Sequence, residues 1–127
     1  MGLNIVPLAG AGNLTFFPLK RQPMTLHPPN ASAALLDGIR AFIEPAHVRT
    51  DPDSALTYGR DWTRLHTPNP LAVVLPGRIE QVQQLVRYAN EHRLPLVPSG
   101  GRTGLSGAAV ACQGEIVVSL ERLNRIL

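Results

Sequence analysis

Residues 71–97 read LAVVLPGRIEQVQQLVRYANEHRLPLV. The first five residues are all apolar and end at Pro76-Gly77, which is typical of a strand buried on both faces of a parallel sheet. Apolar residues then recur at helical spacing, at Ile79, Val82, Leu85, Val86 and Ala89. Pro95 prevents this helix from continuing beyond His92 or Arg93, and residues 94–97 form a second predicted strand. The stretch therefore predicts a strand–helix–strand (βαβ) unit with a right-handed crossover.

Three further segments extend this unit into an α+β domain. The run IVVSL at residues 116–120 predicts a third strand. Residues 32–43 present one apolar helical face, and the predicted helix ends at Glu44-Pro45 because a residue before proline disfavours the helical conformation. Residues 48–50 predict a short extended piece that meets the turn signal Asp51-Pro52-Asp53.

Length and composition predict one small globular domain. The chain has 127 residues, of which 44% are hydrophobic and 17% are charged, and these values argue against disorder throughout. No apolar run is long enough to span a bilayer. Cys112, the single cysteine, forms neither an internal disulfide nor a multi-thiolate metal site. A lone cysteine fits a reducing compartment, and we expect a cytoplasmic location.

The net charge of +3 does not indicate a nucleic-acid partner. Two of the twelve Lys and Arg residues, Lys20 and Arg21, contribute +2 to residues 1–23, and the remaining ten against nine acidic residues leave +1. These remaining charges are scattered, without a basic run or interleaved aromatic residues. Nucleic-acid binding requires a concentrated basic face, so no such partner is predicted.

Residues 1–30 are expected to form a poorly ordered N-terminal extension. Residues 1–23 show neither helical nor alternating periodicity, and Met24 opens a more ordinary sequence and is an alternative start. A secretory signal is disfavoured because the start is uncharged and the basic pair follows the apolar part. Residues 31–127 form the predicted domain.

A glycine-rich loop, PSGGRTGLSG at residues 98–107, follows the second strand of the βαβ unit. Ligands of open α/β sheets bind beyond the carboxyl ends of strands, where glycines allow positive φ values and let backbone N–H groups converge on an anion. Thr103 and Ser106 add hydroxyl donors, and Arg102 adds positive charge. A diphosphate is the natural occupant. The alternative is that the glycines merely turn the chain, and the loop alone leaves the two interpretations evenly balanced.

Two common phosphate-binding motifs do not describe this loop. The spacing Gly101-x-x-Gly104-x-x-Gly107 differs from GxGxxG, and no periodic helix starts inside the loop. The GxxxxGK[ST] motif is excluded because the region contains no lysine.

Several ordered segments resemble the FAD-linked oxidases of the vanillyl-alcohol oxidase and p-cresol methylhydroxylase family, above all the branch of D-lactate and D-2-hydroxyglutarate dehydrogenases. The resemblance covers about residues 45–127. The matching segments are Asp51-Pro52, YGRDW at 58–62, AVVLP at 72–76, the helix with Glu80 and Val82, LVP at 96–98 with GGRTGLSG, IVVSL at 116–120 and LNRI at 123–126. The resemblance implies an incomplete first lobe of a p-cresol methylhydroxylase-type FAD-binding domain.

The resemblance also assigns cofactor-binding residues. It implies that loop residues hold the FAD pyrophosphate through their backbone amides: Pro98, Ser99, Gly100, Gly101, Arg102, Thr103, Gly104 and Gly107. Pro76 resembles a position that lines the adenine side. Some family members attach FAD covalently through a histidine directly after the paired glycines, where this chain has Arg102, so the resemblance implies non-covalent FAD.

The resemblance implies that the chain is the N-terminal part of an FAD-dependent oxidoreductase. This enzyme would dehydrogenate a small 2-hydroxy acid such as D-lactate or D-2-hydroxyglutarate. A second FAD-binding lobe and a substrate domain would follow residue 127, so residues 1–127 alone are expected to be inactive, and no catalytic residue or electron acceptor is assigned. Two alternatives stay open. One is a non-catalytic truncated remnant, and the other is a related FAD enzyme of the alcohol oxidase or enolpyruvyl reductase type.

The remaining candidate residues have structural interpretations. No metal site is predicted, because the four histidines lack metal-ligand spacing: His27, His47, His66 and His92. Cys112 is expected to be small and partly buried. Asp61 and Arg64 are interpreted as a local ion pair or a turn, in preference to an acid/base pair. Tyr58 and Trp62 are expected to pack against the sheet.

The entry to the predicted helix departs from the family's pattern. Arg78 stands where an N-capping serine or threonine is usual, and Gln81 retains only the N3 side of a capping box.

Overall fold

The computed structural model describes residues 5–7, 14–16 and 29–126. The elements in chain order are β1 (Ile5–Pro7), β2 (Leu14–Phe16), α1 (Pro29–Arg40), a 3-10 turn (Pro45–His47), β3 (Val48–Arg49), α2 (Pro52–Tyr58), β4 (Ala72–Val74), α3 (Ile79–Glu91), β5 (Leu96–Ser99) and β6 (Ile116–Ser119). Strands β1 and β2 pair with each other in antiparallel orientation. The other four strands form one mixed sheet, which is the predicted α+β arrangement.

The four-stranded sheet has the order β3-β4-β6-β5. Strands β4, β6 and β5 are parallel, whereas β3 is antiparallel to β4. The predicted βαβ unit is therefore present as β4-α3-β5, with β6 inserted between its two strands. Val74 and Pro98 both pair with Val118, so the three parallel strands end at the same edge of the sheet, which we call the C-terminal edge.

Alternating strand residues supply two hydrophobic clusters, one on each face of the sheet. Ala72 and Val74 belong to the larger cluster, which also contains residues of α1 and α3: Leu36, Ile39, Leu85 and Ala89. Val73 and Leu75 belong to the smaller cluster, together with Tyr58, Ala111 and Val117. The prediction of a strand buried on both faces is confirmed, since these four consecutive residues are at most 1% exposed.

Helix α3 ends in a Schellman motif that also explains where the next strand begins. The N–H of Leu94 donates to the carbonyl of Ala89 at 2.8 Å, and that of Arg93 donates to Asn90 at 3.4 Å. Arg93 takes the left-handed conformation, with φ 53°, that glycine usually supplies. Because Leu94 closes the helix, strand β5 begins at Leu96, two residues later than predicted.

The N-terminus of α3 lacks the usual side-chain cap, as predicted. Arg78 makes no capping hydrogen bond. Gln81 is 3% exposed, and its Oε1 accepts from the N–H of Gly77 at 2.9 Å while its amide donates to the carbonyl of Phe42 at 3.2 Å. Gln81 thus ties the start of α3 to the turn after α1, instead of completing a capping box with Arg78.

Helix α1 begins and ends three residues earlier than predicted. Backbone bonds nevertheless extend to the predicted end, because the N–H of Ile43 donates to the carbonyl of Ile39 at 3.0 Å. Apart from β1, β2 and the start of α1, the expectation of a poorly ordered extension over residues 1–30 concerns residues outside the described part. No helix in the described ranges is long and apolar enough to cross a bilayer.

Candidate functional site

The C-terminal edge brings Pro76 and the glycine-rich loop together. Pro76 lies two residues beyond β4 and is almost completely buried, and Gly100 directly follows β5. According to the strand register, Pro76 and Gly100 extend β4 and β5 to the same position along the strand direction, on either side of β6. Because neighbouring strands lie about 5 Å apart, the two residues are about 10 Å from each other. The predicted adenine-side residue and the predicted pyrophosphate loop therefore occupy one edge of one sheet.

Ser99 ends β5 with an unsatisfied hydroxyl at this edge. The residue is 1% exposed, and its Oγ has no hydrogen-bond partner in the described part of the chain. Its carbonyl accepts from the N–H of Leu120 at 3.1 Å, which extends the pairing of β5 and β6. A buried hydroxyl without a partner costs free energy, and this one lies in the residue directly before Gly100.

The glycines of the loop expose backbone, and only one of them needs the left-handed conformation. Gly107 has φ 76°, whereas Gly100, Gly101 and Gly104 do not have positive φ. The expectation that positive φ explains the cluster is therefore wrong at these three positions. A Cβ atom on Gly100 or Gly104 would meet no heavy atom within 4 Å, so both main chains face open space. An incoming group has direct access to the backbone.

The loop, and Ala111 four residues after it, are fixed by hydrogen bonds to residues 59–71, which we call the anchor segment. The bonds run in both directions and span more than 40 residues of sequence. They are Trp62 N–H to the Gly104 carbonyl (3.2 Å), Gly107 N–H to the Asp61 carboxylate (2.9 Å), Ala111 N–H to the Gly59 carbonyl (2.9 Å) and Asn69 N–H to the Ala111 carbonyl (2.8 Å). The loop thus has a defined shape although most of its residues are exposed.

Asp61 is the central residue of this attachment. It is 4% exposed, and one carboxylate oxygen accepts from the N–H and the hydroxyl of Thr63 at 3.0 and 2.6 Å, while the other accepts from Gly107. These bonds lower the pKa of Asp61, the Thr63 hydroxyl having the largest effect. The turn interpretation of Asp61 is confirmed. The ion pair with Arg64 is not formed between these two described residues.

The contact between Asp61 and Gly107 was not predicted from the sequence. The spacing Asp61-x-Thr63 is typical of a turn in which the carboxylate bonds its own backbone two residues later, and this signal was available. The second carboxylate oxygen bonds a residue 46 positions away, which no local pattern indicates.

Arg102 is positioned by an aromatic ring. Its guanidinium carbon lies 5.2 Å from the centroid of Tyr58, and its Nη1 donates to the Gly100 carbonyl at 3.4 Å. The Tyr58 hydroxyl in turn donates to Glu121 at 2.8 Å. Burial raises the pKa of Tyr58, and the bond to Glu121 raises it further, so the phenol stays a neutral donor. The backbone of Arg102 takes the left-handed conformation, with φ 56°.

The expected packing of two aromatic residues is half confirmed. Tyr58 is 8% exposed and belongs to the smaller cluster under the sheet, as predicted. Trp62 is 67% exposed, so its predicted packing against the sheet is wrong.

Cys112 is exposed, which contradicts its expected partial burial. Among the described residues, no group of three His, Cys, Asp or Glu side chains is arranged to hold a metal ion.

Two clefts adjoin the candidate site. The first, of about 230 Å³, lies between the loop and the anchor segment and is lined by Thr57, Arg60, Asp61, Trp62, Arg64, Gly101 and Arg102. The second, of about 370 Å³, lies at the start of α3 next to Pro76 and is lined by Gly77, Arg78, Ile79, Glu80, Arg122, Leu123 and Arg125. In the second cleft, Arg122 donates to the Leu75 carbonyl at 2.8 Å. Both clefts are lined by a glycine and by several arginines.

Comparison with known proteins assigns this arrangement to a family. Residues 70–127 match the FAD binding domain family. A D-2-hydroxyglutarate dehydrogenase from Stutzerimonas stutzeri is 56% identical over 94 residues, which are 74% of this chain and 20% of that protein. A second one, from Xanthomonas citri pv. viticola, is 61% identical over 89 residues, or 70% of this chain and 19% of that protein. The chain thus spans about one fifth of these relatives.

Solved structures agree with the fold. p-Cresol methylhydroxylase with bound substrate superposes with a TM-score of 0.67 at 24% identity, over 79% of this chain and 20% of that one. Alkyldihydroxyacetonephosphate synthase superposes with a TM-score of 0.68 at 21% identity, over 75% of this chain and 20% of that one. The expected fold is confirmed, and the chain belongs to the FAD-linked oxidase family, of which it carries part of the p-cresol methylhydroxylase-type FAD-binding domain.

Proposed function

We propose that this chain is the FAD-binding part of an oxidoreductase that dehydrogenates a small 2-hydroxy acid. The observation that carries the proposal is the glycine-rich loop, which offers open backbone beside the buried, unpaired Ser99 hydroxyl at the C-terminal edge. The names of the two relatives with 56% and 61% identity support D-2-hydroxyglutarate as the substrate. The whole enzyme would include residues that supply the base and bind the substrate.

The described residues fit a bound FAD. An anionic diphosphate needs hydrogen-bond donors and close approach to the main chain, and Gly100 and Gly104 leave that approach open. The residues that would hold the cofactor are Pro76, Pro98, Ser99, Gly100, Gly101, Arg102, Thr103, Gly104 and Gly107. When bound, FAD supplies an isoalloxazine ring that accepts a hydride from the substrate carbon.

The chain's own contribution is to bind and orient the cofactor. The buried Asp61 carboxylate fixes Gly107, and the Tyr58 ring fixes Arg102, so the loop holds its shape before a ligand arrives. A loop that is already ordered loses little conformational entropy on binding, which favours affinity. Cytoplasmic location is part of the proposal, because Cys112 is the single cysteine of the chain.

We propose that FAD is not attached covalently through this loop, and the proposal is limited to the segment that contains Arg102. A histidyl link requires an imidazole after the paired glycines, and a protonated guanidinium has no lone pair suited to attack on the flavin. We therefore expect acid precipitation of the full-length protein to release its flavin into the supernatant. A flavin-labelled peptide from residues 98–112 would disprove this expectation.

Substitution of a loop glycine tests the proposed function directly. In the full-length protein, Gly101→Val should abolish FAD retention, because the added isopropyl group blocks the approach of a diphosphate to the main chain. Flavin absorbance after gel filtration measures retention, and thermal melting shows that the variant is folded. Ala108→Val, on an exposed residue next to the loop, is the matched control and should purify yellow. A Gly101→Val variant with normal flavin content would refute the loop assignment.

A further inference from the structure

Three arginines line the cleft between the glycine-rich loop and the anchor segment. Arg102 comes from the loop, whereas Arg60 and Arg64 come from the anchor segment on the opposite side. The backbone of Gly101 lines the same cleft. From the sequence, Arg64 was interpreted only as a partner of Asp61, and Arg60 had no assigned role. The structure places both residues in the lining of this cleft.

The positive charge of this cleft is not neutralised by the described residues. None of the three arginines forms an ion pair in this part of the chain. Asp61 is the one acidic residue that lines the cleft, and both of its oxygens already accept hydrogen bonds from Thr63 and Gly107. A cleft with three unpaired guanidinium groups and one engaged carboxylate attracts anions.

The backbone gives a second, independent indication. Arg64 and Arg102 have φ values of 55° and 56°, in the left-handed region that favours glycine. Of the three described non-glycine residues with positive φ, these two line this one cleft. Such conformations cost free energy and persist where the surrounding structure enforces them, which is frequent at ligand-binding sites.

The size of the cleft limits the ligand. Its volume of about 230 Å³ is smaller than the range of about 300–1,000 Å³ that is typical of pockets for whole small molecules. The cleft therefore suits a compact anion or the anionic part of a longer ligand. Arginine forks match phosphate oxygens with two parallel hydrogen bonds, which favours a phosphate over a simple halide.

We propose that Arg60 and Arg64, together with Arg102, form an anion subsite that binds the same diphosphate as the backbone of Gly101. This inference rests on the proposed function, and it adds two side chains from the anchor segment to the cofactor site. The shared chemistry is a diphosphate, which comes either from FAD or from free inorganic pyrophosphate.

Inorganic pyrophosphate is the probe for the first experiment. It is titrated into the 15N-labelled 127-residue chain at constant ionic strength, and the amide of Gly101 and the side-chain Nε–H groups of Arg60 and Arg64 are followed by NMR. We expect these signals to shift together with one dissociation constant. The double variant R60A/R64A should weaken binding by about tenfold or more, since charge-assisted hydrogen bonds to phosphate are strong. The matched control R78A/R125A, in the other cleft, should bind like the wild type.

Each result decides between the inference and the proposed function. Equal affinity in R60A/R64A, with the Gly101 amide still shifting, overturns the arginine subsite and leaves the loop as a phosphate site. Shifts of the arginines without Gly101 overturn the claim that both bind one anion. No shift of either in the wild type overturns the subsite and counts against the loop assignment as well.

The source of the diphosphate is identified in the full-length apoprotein. If FAD supplies it, R60A/R64A should raise the dissociation constant of FAD by about tenfold or more and leave that of riboflavin, which has no phosphate, unchanged. If free pyrophosphate is the ligand, FAD affinity should stay at the wild-type value while pyrophosphate affinity falls. A parallel loss of riboflavin affinity would show general damage and overturn the inference.

Discussion

The sheet and the glycine-rich loop lie next to each other, yet different forces fix their conformations. Val74, Ile116 and Val117 are at most 1% exposed and belong to the hydrophobic clusters on the two faces of the sheet. In the loop, most residues from Gly100 to Ser106 are exposed, and a few polar contacts to the anchor segment define its shape. Burial of apolar surface holds the first region, whereas one hydrogen bond to a buried carboxylate and one backbone hydrogen bond to Trp62 hold the second.

This difference explains how the proposed binding site stays both open and ordered. Glycine backbone that is buried in a core cannot meet a ligand, and glycine backbone without attachments would lose much entropy on binding. Here Asp61 binds Gly107 at one end of the loop, and strand β5 holds the other end through Ser99. The residues between these two points keep their N–H groups free for an anion.

The largest expected effect comes from a truncation in the sheet. Ile116→Ala removes a completely buried side chain from the central strand β6 and should lower the free energy of unfolding by about 2–5 kcal/mol. Urea unfolding of the 127-residue chain measures the loss. Val86→Ala, at a residue that is 50% exposed on α3, is the control and should change stability by less than about 1 kcal/mol. A loss at Ile116 as small as that of the control would contradict the assigned core.

The elements of the sheet were predictable because their signal is local. The apolar run at 71–75 predicts strand β4, and the helical spacing of apolar residues from Ile79 to Ala89 predicts helix α3. Both patterns consist of residues that are close in sequence. The order of the strands was not predictable in the same way. Strand β6 lies between β4 and β5, and an apolar run at 116–120 fits any position in a parallel sheet.

The candidate site could be proposed from the sequence, but the contacts that shape its loop could not. The glycines and the family resemblance both indicated residues 98–107. The residues that shape the loop are distant in sequence, as Asp61 is from Gly107. The left-handed conformation falls on Arg102 and not on Gly101, and the Arg102 side chain contacts the Tyr58 ring and the Gly100 carbonyl. The composition of the loop does not indicate that an arginine, and not a neighbouring glycine, takes the left-handed conformation.

Removal of the Asp61 carboxylate should produce the next largest effect. Asp61→Ala leaves the partly buried N–H groups of Thr63 and Gly107 without their partner and should cost about 1–3 kcal/mol of stability. Hydrogen exchange of the Gly107 amide should also become faster. Asp37→Ala, which breaks an exposed ion pair with Arg40, should cost only about 0–1 kcal/mol. Unchanged exchange at Gly107 would disprove the role of Asp61 in the loop.

A smaller effect is expected from pH, through the same carboxylate. The pKa of Asp61 is lowered from its usual value of 3.8, so below that value the unfolded chain binds the proton more readily than the folded one. The stabilisation by the carboxylate is therefore complete above pH 3.8 and is lost as the pH falls through the lower folded value. The difference in unfolding free energy between wild type and Asp61→Asn should shrink over this acidic range. A difference that stays constant would show that Asp61 does not titrate with folding.

The smallest effect separates the backbone of Arg102 from its side chain. Arg102→Ala and Arg102→Gly both remove the contact with Tyr58, which contributes about 0.5–1 kcal/mol at such sites. They differ in how they tolerate φ 56°, because a left-handed residue with a Cβ costs about 1–2 kcal/mol, whereas glycine adopts this conformation freely. The greater freedom of glycine in the unfolded chain offsets part of that gain, by about 0.5–1 kcal/mol. Arg102→Gly should therefore be more stable than Arg102→Ala by about 0.5–1 kcal/mol in urea unfolding. If the alanine variant is equally or more stable, the left-handed conformation of Arg102 is not a property of the folded loop.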